Sequence, residues 1–592
     1  MERTLMSDYR LRPEVRIHDA ERGVRGWPAV LAAVRGRLDE LAGERGSRLT
    51  LAIECYPGTN MDEIRQGLVE PLGAEAALLA DDYAWDAPRV QARIADTITD
   101  DRVFGVLSHY TADEFFDAGR VGQARARLSS APGLSVVFGV GATVICPDPD
   151  LLLYADLTRW EIQLRLRAGM PNWKADNADE DALRKFKRGY FFEWRMADLT
   201  KRALFDRVDF ELETNVPGEP KMVPGGAYRA GLAQVARQPF RLVPYFDASV
   251  WGGHWMQRRF GLDPDAPNFG WAFDGVPEEN SVILDFDGVR LEIPAINVVL
   301  REPDALLGPK VHARFGAEFP IRFDFLDTMG GQNLSLQVHP LVEYAQDRFG
   351  IHYTQDESYY ILDASEDSCV YLGVRPGVSR EEMVADLKRA ERGEDRFHDE
   401  RFVNRFPVRK HDHVSIPAGT VHCAGPNTVV LEISATPYIF TFKLWDWGRV
   451  GLDGVPRPVH VDHGAPNIRL DRDTDYALSQ LIDRADAPHQ DLSDQEGVVI
   501  QRTGLHELEF IETDRHWFED AATVDCHQSV NMLNLVEGTS VRVVSLDGSF
   551  EPFGVYYGET FVVPESVGRY RIENTGDRTR RAGVIQAFVR NL

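Results

Sequence analysis

The sequence predicts a multidomain protein: an α/β domain on a parallel sheet, followed by two β-rich domains with a helical insertion in the first of them. Three observations carry this. The 592 residues exceed what one hydrophobic core holds together. The first two fifths alternate short apolar runs with helical stretches, which is the pattern of a parallel α/β sheet. The remainder is dominated by runs in which apolar and polar residues alternate with a period of two.

In the first part, Arg48–Cys55 reads as a buried strand, with Tyr56-Pro-Gly-Thr-Asn60 as its loop and a helix starting near Met61 or Asp62. Ala77–Tyr83, Leu134–Gly141 and Leu151–Asp156 read as further short apolar strands. Helical stretches from Pro88 to Ile98 and from Arg159 to Ala168 separate them. Gly139-Val-Gly141 lacks the third Gly of a dinucleotide loop and reads as a strand bend. Lys185, Lys187, Arg188, Arg195, Lys201 and Arg202, interleaved with Phe186, Tyr190, Phe191 and Trp194, predict an amphipathic helix with a solvated basic face. Two stretches read as linkers: residues 215–226, rich in Pro and Gly, and the Asp-rich residues 471–494.

In the second part, Leu334, Leu336 and Val338 alternate with Ser335, Gln337 and His339, so Gln337 and His339 point the same way. Glu357 opens the aromatic run Ser358–Leu362. His422 follows the turn Pro417-Ala-Gly419 and is expected at the start of a strand running through residues 427–433. Two imidazoles, a carboxylate and an amide oxygen suit zinc, and equally iron, manganese or nickel. Cys423, next to His422, faces the other way on a strand and is expected to be a buried small hydrophobe. Residues 380–399 form a mainly charged helical insertion, and a further β domain starts near residue 497.

Composition sets the outer limits. Charged residues make up 27% and hydrophobic residues 43% of the chain, the proportions of an ordinary globular protein. A net charge of −27 argues against nucleic acid as a partner and against anionic membranes. Five cysteines without a CxxC pair fit a reducing compartment. With no apolar run of membrane-spanning length, the expectation is a cytoplasmic protein.

The order Gln-x-His, Glu, Pro-x-Gly-x-x-His resembles a cupin barrel, and its wording resembles the type I mannose-6-phosphate isomerases. The residues carrying this are Pro244–Gly253, Phe319–Asp327, Leu334–Pro340, Glu357–Asp363, Ile416–His422, Trp445–Arg449, Asn534–Gly538 and Gly558–Pro564. The resemblance implies one zinc ion held by Gln337, His339, Glu357 and His422, and isomerisation of an aldose to a ketose through an enediol. Glu432 and Asp446 are then candidates for the pocket, with Glu432 and Lys443 as the candidate catalytic residues and the identity of the base left open. Three departures stand out. Gln355 replaces a Lys, Lys443 replaces an Arg, and Asp324 lies where a Lys is expected. Fewer cations point to an unphosphorylated sugar, or to a phosphate held by cations from elsewhere.

The first part is similar to P-loop nucleoside kinases of the uridine kinase type, through Asp81-Asp-Tyr83, Tyr154-Ala-Asp156 and Arg159–Arg167. The loop Glu54–Met61 contains no Lys and no Gly-Lys-Ser, so phosphoryl transfer is not expected. The resulting division is residues 1–215 as a degenerate kinase-like domain, 227–475 as a metal-binding cupin with its insertion near 380–399, and 497–592 as a second cupin-like domain without metal. The competing functions are a cupin iron oxygenase, since two His and a carboxylate suit non-haem iron, and a non-catalytic sugar sensor regulated through the kinase-like domain. The expected partner is a small sugar or sugar phosphate.

Overall fold

The computed structural model describes residues 7–590 other than 436, 437, 439, 452, 453, 455, 456, 505 and 578. The chain forms two compact units. One comprises Met1–Pro13, Ala236–Asn280 and Pro303–Leu592; the other comprises Glu14–Val235 and Ser281–Glu302. No helix among the described residues is long and apolar enough to cross a membrane.

In the unit containing Glu14–Val235, a seven-stranded sheet runs in the order Val24–Arg25, Lys221–Pro224, Phe210–Glu213, Leu151–Asp156, Thr50–Cys55, Ser135–Gly139, Ala76–Leu79. The last five strands are parallel. Parallel strands are covered on both faces and so read as continuous apolar runs. Leu51, Ile53, Val136, Leu151 and Leu153 accordingly share one core with Val30, Val34, Leu38 and Leu41 of helix Trp27–Arg45. A separate three-stranded sheet joins Glu14–Arg16 to the hairpin Ser281–Phe286 and Val289–Pro294.

Two readings of this unit are corrected. Residues 215–226 do not form a linker: the loop after Glu213 closes an antiparallel hairpin, and helix Gly225–Val235 follows. The basic stretch does not present a solvated face either. Lys185, Lys187, Arg188 and Lys201 are all buried. Lys185 Nζ donates to the carbonyls of Leu166 and Met170 at 3.0 and 3.2 Å, and Lys201 Nζ pairs with Asp156 at 2.8 Å. Burial is tolerated because each ammonium meets acceptors inside the fold.

The other unit begins with a seven-stranded antiparallel sheet in the order Ile482–Asp483, His413–Ile416, Asp356–Ala364, Thr428–Ala435, Arg322–Asp327, Trp271–Gly275, Tyr245–Asp247. A five-stranded sheet runs Val403–Pro407, Cys369–Val374, His422–Ala424, Leu336–Val338, Phe442–Trp445. Helix Arg380–Glu391 belongs to the connection between the adjacent strands Cys369–Val374 and Val403–Pro407. Residues 471–494, expected as a linker, instead supply the edge strand Ile482–Asp483 on His413–Ile416. His422 does not open the strand expected at 427–433. It lies on its own strand, His422–Ala424, because Gly425, Pro426 and Asn427 (φ 58°) turn the chain into the other sheet.

At the C-terminal end of this unit, a five-stranded and a four-stranded sheet enclose a core that includes Leu533, Leu535, Val541, Val543, Phe561, Tyr570 and Val584.

Candidate metal centre

Strand register determines which side chains meet. Gln337 and His422 are direct partners across Leu336–Val338 and His422–Ala424, so they share a face. In the opposite sheet, Glu357 pairs with Ser434, Tyr359 with Glu432, and Glu432 with Asp324. Glu357, Tyr359, Glu432 and Asp324 therefore line one wall.

The structure brings His339, Glu357 and His422 together, with one ligating atom of each within 4.8 Å of the others. His339 Nε2 is 3.0 Å from Glu357 Oε2, and His422 Nε2 is 2.9 Å from Glu357 Oε1. All three side chains are buried. Gln337 joins them, its amide nitrogen 3.1 Å from His422 Nε2; a half-turn of the amide presents its oxygen to the same point.

The donor set fits a divalent cation on two observations. His339 Nδ1 lies 2.8 Å from the Phe440 carbonyl, and His422 Nδ1 lies 2.8 Å from the Thr420 carbonyl. Each carbonyl takes the Nδ1 proton, which leaves the Nε2 lone pair facing inward, the arrangement that orients metal-binding histidines. His339 Nε2 and Glu357 Oε1 are also buried without a well-aligned hydrogen bond. Their short contacts are therefore lone pairs converging on one point. Burial opposes charge on Glu357, but positive charge on His339 and His422, which a proton at Nε2 supplies where no cation sits, more than offsets it and holds its pKa well below the usual carboxylate range.

Glu432 is buried within hydrogen-bonding reach of Glu357. Burial, then the charges of Asp324 and Glu357, raise its pKa well above the usual value. Lys443 lies on strand Phe442–Trp445 as the register partner of Gln337, half-buried on the same face. Asp446 is occupied elsewhere: it accepts from Ser335 Oγ at 2.8 Å and pairs with Arg449 and Arg457 at 2.5 and 2.7 Å. Cys423 is buried beside Tyr371 in register, facing away from His422.

Two residues near the centre have roles that the sequence reading did not assign. Gln355 Nε2 donates to Glu357 Oε2 at 2.9 Å, and its Oε1 accepts from the Phe440 N–H at 3.0 Å. The residue taken for a lost cation thus positions the carboxylate and the loop that holds His339. Arg322 is buried with Nε 3.4 Å from Asp324, and Glu279 and Glu432 add to the negative field around it. The signal was present in the sequence, because Arg322 is two residues before Asp324 on one strand and so on the same face.

Residues 26–237 match the model of a domain of unknown function (DUF8485). The chain is 24% identical over 340 residues to mannose-6-phosphate isomerase ManA of Bacillus subtilis, covering 57% of this chain and 96% of that protein. It is 26% identical over 227 residues to mannose-6-phosphate isomerase of Streptococcus mutans, covering 38% of this chain and 66% of that protein. Among solved structures, the mannose 6-phosphate isomerase from Bacillus subtilis aligns with a TM-score of 0.47 and 18% identity, over 59% of this chain and 99% of that one. These relatives are mannose-6-phosphate isomerases, at low identity and over part of the chain.

Proposed function

We propose that the chain is a metal-dependent aldose–ketose isomerase acting on mannose 6-phosphate or a related sugar. The observation that carries this reading is the convergence of inward-facing lone pairs from His339, Glu357 and His422, with Gln337 beside them. The curated relatives named mannose-6-phosphate isomerase support it. In this reading Gln337, His339, Glu357 and His422 hold one zinc ion within a cupin barrel.

A bound divalent cation would polarise the sugar carbonyl and the neighbouring hydroxyl. Glu432 then moves the proton between C1 and C2. Its burial beside Asp324 raises its proton affinity above that of an exposed carboxylate, which makes it the stronger base once ionised. Lys443, on the face shared with Gln337, offsets negative charge on the enediolate or on a substrate phosphate. Gln355 fixes the rotamer of Glu357.

The parallel α/β sheet supports reading the N-terminal unit as a degenerate kinase-like domain with a regulatory or scaffolding role. Its loop after strand Thr50–Cys55 ends in Asn60, whose side chain accepts from the N–H groups of Asp62 and Glu63.

The test is a panel of mannose 6-phosphate and mannose with zinc-loaded protein, read by proton exchange at C2, alongside His422→Ala. The expected outcome is exchange by wild type and none by the variant, together with loss of bound metal. Equal exchange by metal-free His422→Ala would reject the reading, and turnover confined to the phosphate ester would reject an unphosphorylated substrate.

A further inference from the structure

On the opposite face of the strand that carries Glu357 lies a second cavity, open to solvent and of about 350 Å³, lined by His411, Trp517, Glu537, Arg580 and Arg581. Its position follows from strand alternation. Tyr359 faces inward, its ring 5.8 Å from that of His422. Its neighbour Tyr360 faces outward and bonds His411 Nδ1 at 2.8 Å.

The lining is cationic on a chain of net charge −27. Arg580 and Arg581 are exposed, and neither forms an ion pair among the described residues. The Arg581 guanidinium lies 4.1 Å from the centroid of the Trp517 ring. Behind the indole, Arg515 is buried, with its guanidinium carbon 5.7 Å from the same ring. Arg515 donates to neutral acceptors, Gln501 Oε1 at 3.1 and 2.9 Å and the His411 carbonyl at 2.8 Å, and no carboxylate among the described residues pairs with it. A buried guanidinium without a counter-ion is costly and projects positive potential into the adjoining space. The one carboxylate present, Glu537, is matched by Lys410 at 2.5 Å and His411 at 3.3 Å.

His411 is held for this arrangement at some cost, with φ at 73°, a conformation that residues other than Gly rarely adopt. Its N–H donates to the Ile361 carbonyl at 2.7 Å, its carbonyl accepts from Arg515, and both ring nitrogens are engaged. The imidazole edge stands against the Trp517 ring, 5.2 Å between centroids.

We propose that this cavity binds a phosphorylated sugar. Two adjacent guanidiniums match the oxygens of a phosphomonoester dianion. Glu537, whose Oε2 takes both Lys410 and His411, keeps Oε1 to accept from a sugar hydroxyl, and the indole edge offers an apolar surface to the C–H groups of a sugar ring. The volume is that of a small-ligand pocket. Binding here is independent of turnover at the metal centre, so the proposal stands or falls apart from the isomerase reading.

The experiment is calorimetric titration of full-length His422→Ala with mannose 6-phosphate, mannose and inorganic phosphate, repeated after adding Arg580→Gln and Arg581→Gln. Glu357→Gln serves as a second background if His422→Ala does not fold. Both arginines are exposed, so their replacement leaves the fold intact, checked by an unchanged thermal midpoint. The expected result is binding of mannose 6-phosphate that exceeds both mannose and phosphate and weakens at least about tenfold without the arginines. Absence of binding, an affinity unchanged by the arginine replacements, or inorganic phosphate binding as tightly as the ester would each overturn the proposal.

Discussion

Glu357 and Glu54 are the same residue type, each buried at a strand of its own unit, and they differ in what their oxygens face. Glu357 faces two imidazoles whose Nδ1 atoms are already engaged by backbone carbonyls. Glu54 is satisfied by its own chain: Oε1 accepts from Gly141 N–H at 2.7 Å, and Oε2 accepts from the Thr143 N–H and hydroxyl at 2.7 Å each. The electrostatics diverge accordingly. Protonated, the imidazoles hold Glu357 well below the usual carboxylate range against its burial. Burial pushes Glu54 up to about 7, its three hydrogen bonds offsetting only part of that. Burial and charge alone therefore do not mark a ligand site; convergence of unengaged lone pairs does.

The sharpest way to break the comparison is to neutralise each carboxylate. Glu357→Gln removes the anionic ligand from between two imidazoles. It should release the metal and cost several kcal/mol of transition-state stabilisation, a loss of about a thousandfold or more in turnover. Glu54→Gln should leave both metal content and turnover unchanged. Metal analysis and a rate assay on both variants decide it, and a comparable loss in Glu54→Gln would erase the distinction.

The same pair shows what the sequence could reveal. The convergence at Glu357 was legible because it rests on short-range rules: Gln337 and His339 share a face by alternation, and Glu357 and His422 stand in recognisable local motifs. Glu54 was read only as part of a loop lacking a Lys, since its partners, Gly141 and Thr143, are more than eighty residues away. The misreadings elsewhere have the same origin. Lys185 and Lys201 looked solvated because the carbonyls and carboxylate that receive them lie on other elements. Residues 215–226 looked like a linker because Pro and Gly mark a hairpin turn as readily. Residues 281–302 join the N-terminal unit through pairing with Glu14–Arg16, a contact no local pattern encodes. Gln355 was counted as a lost charge because its partner Glu357 is two residues along the chain and the loop geometry that joins them is not periodic.

A second difference appears in pH dependence. A carboxyl held near 7 in the fold and near 4.3 when unfolded keeps its proton in the folded state while the unfolded chain has released its own. Glu54's contribution is thus complete below the unfolded value and is lost as pH rises through 7, a change of roughly 3 kcal/mol. The stability of wild type relative to Glu54→Gln should rise by about that much on acidification from pH 8 to 4.5. Denaturant unfolding of both proteins at each pH measures it, and a difference that does not vary with pH would place the Glu54 pKa at its ordinary value.

The smallest effect concerns the end of the same loop. Asn60 caps helix Met61–Ile64, its Oδ1 accepting from Asp62 N–H at 3.0 Å and from Glu63 N–H at 3.4 Å. These N–H groups are ones an anionic ligand would otherwise use, and the first turn also carries two acids, Asp62 and Glu63. Asn60 is exposed, so Asn60→Ala removes the cap without disturbing packing and should cost about 1 kcal/mol. If the loop serves only its own fold, the variant loses that stability, and ATP with magnesium does not restore the thermal midpoint. A midpoint raised by ATP would instead mean that Asn60 competes with a phosphate at this helix start, making the N-terminal loop, like the candidate metal centre, a place where the chain leaves groups for a ligand.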